Sequence, residues 1–245
     1  MFVKWFSVVT CTVCFLYTIY ILYSLGHFLS NHNVTNETIV SSKEDESNVS
    51  LLWPLSTDMT LLSIFILQHS FMASELVKDL FSKFQVDYIE RTVYNVFSAM
   101  TLHLLISKWE FISSVTLWKV DTFSNDVSWY TFTTLHVLAW IIIYSGCLMM
   151  DLSELAGLKQ VYYKFSSRPC PIVMKSRGLL RYYMHMRHPS LTGFLIIFWI
   201  HPYMTLDRLL LASILTIYMG LMWTIDKEDY DYHAHLVKLK QNELL

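Results

Sequence analysis

The densest gathering of groups able to do chemistry is Arg181, Tyr182, Tyr183, His185, Arg187, His188 and Pro189, where a basic stretch runs into an apolar one. The start of a helix presents unpaired backbone N–H groups and the positive end of its dipole, and arginines beside it add fixed positive charge. An anionic or carboxylate-bearing ligand suits such a place. Asp226, Glu228, Asp229 and Asp231 follow the last apolar run. If the last two runs pair as helices, these acids reach the same face and could hold an amino group or ribose hydroxyls. A plainer reading stands beside this one, in which the basic residues orient the chain in a membrane and pair with those acids.

A second group, Gln68, His69 and Ser70, sits inside an apolar run. Polar side chains there need partners, and hydrogen bonds between helices are their ordinary use. The sharper alternative makes His69 a haem or metal ligand with His103 or His136 from a neighbouring run. The spacing is no metal motif, and no metal is expected. Cys11 and Cys14 lack companion ligands and read as packing groups, while Cys170 is an acylation candidate.

These residues must be positioned by helices in a bilayer. The 245-residue chain is 54% hydrophobic and only 16% charged, an apolar excess that a soluble core does not need. A charge at a helix centre costs roughly 2.5 to 3.5 kcal/mol on insertion scales, so the gaps between charges mark the spans. Six long gaps lie between Lys4 and Glu37, Asp58 and Glu75, Arg91 and Lys108, Asp126 and Asp151, Arg187 and Asp207, and Arg208 and Asp226. The expected fold is an all-α bundle of about six transmembrane helices. Only Asp207 and Arg208 separate the last two gaps, which predicts a tight hairpin that need not cross fully. Trp5, Trp53, Trp118, Trp129, Tyr203 and Trp223 fall near span ends, where amphipathic rings prefer the interface.

Lysine and arginine set the orientation. With the N-terminus inside, fourteen of the eighteen basic residues face inward, and only Lys43, Lys108, Lys119 and Arg208 face outward. That satisfies the positive-inside rule and puts both termini on the cytosolic or nucleoplasmic side. The sequons at Asn33, Asn36 and Asn48 all fall in the first outward loop, where glycans are added, and Asn48 lies farthest from the membrane. Residues 1–245 read as a single integral membrane domain with a lumenal loop at 27–58, a basic inward segment at 151–189 and an inward tail at 226–245. A net charge of −2 gives no nucleic-acid footprint. The lipid bilayer is the one partner the sequence names, and no direct nucleic-acid binding is expected.

Several stretches together carry a resemblance: Gln68 to Ala73, Glu90 to Tyr94, Trp109-Glu110, Asp151 to Tyr163, Arg187-His188-Pro189, Asp207 to Ala212 and Leu215 to Tyr218. In order and spacing they resemble the nurim family of multi-pass proteins of the inner nuclear membrane. The likeness covers about residues 51–240 and leaves out the loop that carries the sequons. It implies residence at the nuclear rim.

That family is in turn similar to membrane methyltransferases, the isoprenylcysteine carboxyl methyltransferases and the methanethiol S-methyltransferases. The resemblance implies a methyltransferase-like membrane fold and, for an active member, S-adenosylmethionine held by Gln160, Tyr182, Arg187, His188, Pro189, Gly193, Asp226 and Asp229. The match is partial. Leu191 stands where a tyrosine belongs, and Asp226-Lys227 replaces a pair of acids. Lys227 puts a cation near a sulfonium cofactor, and the loss of one charged hydrogen bond alone costs about 1.5 to 3 kcal/mol. The leading expectation is therefore a non-catalytic resident of the inner nuclear membrane, without cofactor. The alternative is an S-adenosylmethionine-dependent methyltransferase acting on a thiol or carboxylate of a lipophilic substrate.

Overall fold

In a computed structural model, the residues described are 2–31, 51–149, 151–168 and 190–222. The sequons Asn33, Asn36 and Asn48 lie outside them, as do Cys170, Tyr182, Arg187, His188, Pro189, Asp226 and Asp229.

Helix α1, Phe2–Ser30, is apolar all round. At 1.5 Å per residue its 29 residues reach roughly 43 Å, more than a bilayer core of about 30 Å. Val9, Val13, Leu16 and Tyr20 stand exposed on one side, while Cys11, Ile21 and Leu29 are buried. An apolar surface that finds no protein partner belongs against lipid.

Helix α2, Leu52–Ala73, is followed by α3, Glu75–Lys83. Ser74, extended at ψ 151°, breaks the run, and the two axes bend by 52°. Helix α4 spans Asp87–Lys108, strand β1 Thr116–Lys119 and helix α5 Asp126–Met149. Two short helices follow, α6 at Leu152–Leu155 and α7 at Leu158–Phe165. Helix α8, Leu191–Trp199, strand β2, Tyr203–Thr205, and helix α9, Leu206–Met222, complete the described chain.

By length and composition, the stretches Ser7–Ser30 and Asp126–Leu148 can each cross a membrane, and the bent pair α2 and α3 makes a third if it is one span. All six charge gaps hold helix. The last two form the expected hairpin, turning through Pro202 and β2.

Helix directions follow from paired residues. Cys11 meets Thr92 and Tyr17 meets His103, so α1 and α4 run parallel. Gln68 meets Thr101 and His69 meets Tyr94, so α2 runs against α4. Leu62, Leu105, Ala139, Ile197 and Leu211, from α2, α4, α5, α8 and α9, share one core with Leu29 of α1. Gly193 lets α8 close on α5, since a Cβ there would lie 2.6 Å from Ile143 Cγ1 and 2.7 Å from the Ala139 carbonyl.

The helical fold carries one small β element among the described residues. β1 and β2 pair antiparallel, Thr116 with Thr205, Trp118 with Met204 and Lys119 with Tyr203, with an irregularity between Thr116 and Trp118. Further bonds hold the ladder in place. Trp118 Nε1–H donates to the His201 carbonyl at 2.9 Å, and the Val120 amide donates to the Pro202 carbonyl at 2.8 Å. Backbone groups of two connections at one end of the bundle thereby satisfy each other.

Candidate functional site

Three polar layers run through the bundle from the ladder end to the end that holds α6 and α7. In the ladder-end layer Asp58 and Asp207 are both fully buried. Asp207 accepts from Trp109 Nε1–H at 3.0 Å and from the Ile112 amide at 3.3 Å, and Asp58 Oδ1 accepts from the Glu110 amide at 3.0 Å. The chain leaving α4 is thus tied to α2 and α9 through its own backbone donors. Nearby, His136 Nε2–H donates to the Ile200 carbonyl at 2.7 Å, and Ser30 Oγ lies 2.9 Å from His136 Nδ1 and 2.8 Å from Trp140 Nε1.

The middle layer gathers the polar triplet of α2. Thr101 donates to Gln68 Oε1 at 3.1 Å, the Tyr94 hydroxyl lies 2.7 Å from His69 Nε2, and Ser70 Oγ lies 3.1 Å from the Tyr218 hydroxyl. The triplet therefore joins α2 to α4 and α9. His69, His103 and His136 each contact a different group, and no set of three or more metal-ligating side chains gathers among the described residues.

The third layer closes the other end and is the candidate functional site. A cavity of about 540 Å³ opens between α1, α4, α5 and α6, lined by Cys14, Thr18, Leu22, Thr92, Tyr144 and Leu155 among others. Its walls are mostly apolar, and Thr18, Thr92 and Asn95 bring polar groups to them. Asn95 Nδ2–H donates to the Leu155 carbonyl at 2.7 Å, satisfying the last turn of α6. Gly157 follows at φ 85°, pressed against α4, where a Cβ would lie 2.9 Å from the Thr92 nitrogen.

Asp151, at φ 63°, opens α6 and accepts from the Ser153 amide at 3.1 Å and from Lys159 Nζ at 2.7 Å. The Lys159 hydrogen bond, then that of Ser153, holds the Asp151 carboxyl down at about 2. Lys159 is raised in turn by its bond to Asp151. Arg168 lies 5.5 Å over the Tyr162 ring, and Lys159 lies 5.6 Å over Tyr163. Residues 151–168 pack on themselves and on the start of α4, through Asn95 at Leu155 and Tyr88 against Phe165.

Of the residues named for a cofactor, Gln160 and Gly193 are described. Gln160 Nε2–H donates to the Glu154 carbonyl at 3.0 Å, while its Oε1 is buried with no partner among the described residues. Gly193 lies on another face of the bundle, filled by Ile143 and the Ala139 carbonyl. The structure brings Gln160 to the cavity's end of the molecule and spends Gly193 on helix packing. Sequence reasoning missed Asn95, Thr92 and Gly157, for which a glycine between two short polar turns was the one available signal. Trp109 entered it only within the stretches that carry the resemblance, as did Asp207, which with Asp58 otherwise served as a span boundary.

Apolar helices joined by layers of buried hydrogen bonds, with unpartnered apolar surface outside, define a helical membrane protein. No family model matches the chain, and no solved structure matches it. Curated relatives do. A Nurim homolog of Drosophila pseudoobscura pseudoobscura is 37% identical over 99% of this chain and 98% of its own length. A Nurim homolog of Drosophila melanogaster is 37% identical over 94% and 92%, and Nurim of Homo sapiens is 39% identical over 75% and 70%. The chain belongs to the nurim family.

Proposed function

We propose that the chain is a multi-pass, non-catalytic resident of the inner nuclear membrane, with all six apolar segments crossing the bilayer and both termini on the nucleoplasmic side. The β1–β2 ladder is the observation that carries the topology. It joins the connection after α4 to the connection after α8, which six alternating crossings put on one side. The basic α6–α7 segment at the opposite end agrees with positive-inside placement. Residence at the nuclear rim rests on the family resemblance.

Two measurements test this. Asn48→Gln should remove a glycosidase-sensitive increment of mass, and a fluorescent fusion should concentrate at the nuclear rim. An unglycosylated Asn48, or a fusion spread evenly through peripheral endoplasmic reticulum, would overturn the corresponding part.

The apolar cavity at the same end of the molecule as Gln160 favours a second reading, a methyltransferase whose lipophilic substrate enters from the bilayer and whose cofactor is S-adenosylmethionine. Gln160 Oε1 fits as an acceptor for a ligand N–H or O–H, whereas Gly193, packed against α5, has no room for a cofactor. That mismatch weighs toward the non-catalytic reading. Calorimetric titration of purified protein decides between them: heat of binding at micromolar S-adenosylmethionine would establish the enzyme, and none at millimolar would remove it.

A further inference from the structure

A second cavity, of about 610 Å³, opens at the ladder end between the last turns of α1, the exit of α4 and the start of α9. Its size is within the range that holds small organic ligands. Tyr20, Tyr23, Ser24 and His27 line it from α1, and Tyr203 and Arg208 line it from the opposite wall. Among the described residues of this lining, Arg208 alone carries a fixed charge. One Nη1–H donates to the Leu29 carbonyl at 3.3 Å, and the Nη2 hydrogens reach the Phe28 and Leu29 carbonyls at 3.2 and 3.3 Å. These contacts anchor the guanidinium across the end of α1 and leave Nε–H and one Nη1–H uncommitted.

No carboxylate pairs with Arg208 among the described residues. Its neighbour Asp207 attracts the guanidinium through space but gives it no hydrogen bond, since both carboxylate oxygens accept from Trp109 and Ile112. An unpaired guanidinium in a half-buried site is costly unless an anion completes it, and its planar donors match phosphate in a bidentate grip. His27, exposed across the cavity, adds a second nitrogen donor. The aromatic and aliphatic walls suit an apolar remainder on the same ligand.

We propose that this cavity binds a phosphate-type anion through Arg208 and His27, with the glycerol and first methylenes of an anionic phospholipid against the tyrosine walls. The cavity lies at helix ends, the level at which headgroup phosphates lie in a bilayer.

The test uses the full chain purified in a neutral detergent, with its melting temperature read in the presence of dioleoyl phosphatidic acid, dioleoyl phosphatidylcholine or inorganic phosphate. A ligand that binds only the folded state raises the melting temperature. Phosphatidic acid should raise it by several degrees and phosphatidylcholine should not. An equal rise with millimolar inorganic phosphate would support the same site with a free anion as its source. Arg208→Gln should abolish the rise, but it also removes a helix anchor. His27→Glu, an exposed change that sets a like charge against the ligand, should abolish the rise while leaving the ligand-free melting temperature within about a degree. No rise with either anion, or a rise that survives His27→Glu, would overturn the proposal.

Discussion

Trp109 Nε1–H donates to Asp207 Oδ2 at 3.0 Å across 98 residues of sequence, inside a fully buried contact. The bond ties the exit of α4 to the first turn of α9, and the Ile112 amide occupies the other carboxylate oxygen. Asp207→Asn would keep one acceptor and turn its amide toward a donor, and Trp109→Phe would leave one oxygen with no donor. Each should cost about 1 to 3 kcal/mol, read as a lower melting temperature in detergent. The double variant should cost less than the sum, because the two changes break one bond. Strict additivity would mean that the pair does not act as a unit.

Gly193 and Gly220 both lie on helices, yet they should respond in opposite ways to alanine. Gly193→Ala forces α8 away from Ile143 and the Ala139 carbonyl, an overpacking expected to cost about 1 to 3 kcal/mol. Nothing lies within 4 Å of a Cβ at Gly220, so Gly220→Ala should be neutral or stabilise by about 0.5 to 1 kcal/mol through helix propensity. Thermal melts of the two variants side by side check this, and equal effects would contradict the close α5–α8 contact.

At Gly157 conformation and space act together. Alanine there is strained at φ 85° and also meets the Thr92 backbone. Asparagine tolerates the left-handed conformation but not the contact. Both variants should lose stability, by about 1 to 3 kcal/mol. Full rescue by asparagine would show that φ alone matters.

Asp151 sets a pH dependence. An unfolded aspartate titrates near about 3.9, and the folded group is held at about 2. A lowered folded-state value stabilises above the unfolded one, and the gain is lost as pH falls through about 2. Lys159, raised by the same bond, contributes up to its unfolded value and loses that gain only as pH climbs through its higher folded one. Asp151 is 39% exposed, so solvent screening limits the pair to about 0 to 1 kcal/mol. Asp151→Asn keeps an acceptor for the Ser153 amide and removes the charge. Its small melting-temperature deficit at neutral pH should vanish near pH 2 (about the folded pKa), and a deficit unchanged at that pH would count against the ion pair.

Charge gaps in the sequence located the helices because a bilayer penalises charge whatever the fold. They misplaced the two aspartates for the same reason. Asp58 and Asp207 were boundaries by that count, whereas the structure folds both inward to donors at Glu110, Trp109 and Ile112 that only the tertiary arrangement brings near. The use of Gln68, His69 and Ser70 as links between helices was legible, since polar groups in lipid have few alternatives. β1 was not legible. Its four residues are all exposed, so no inside-outside alternation marks them, and the partner strand lies beyond four further helices of the described chain. Gly193 entered the reading through a motif, and only the nearness of Ile143 reveals its packing use.

The ladder also bears on biogenesis. A ribosome delivers β1 long before β2, so the edge of β1 waits with unsatisfied amides and carbonyls while α5 and α8 are inserted. Zipping of the two strands is thus among the late events of assembly. A truncated product that stops before Tyr203 exposes this raw edge to the chaperones and degradation machinery of the compartment it faces.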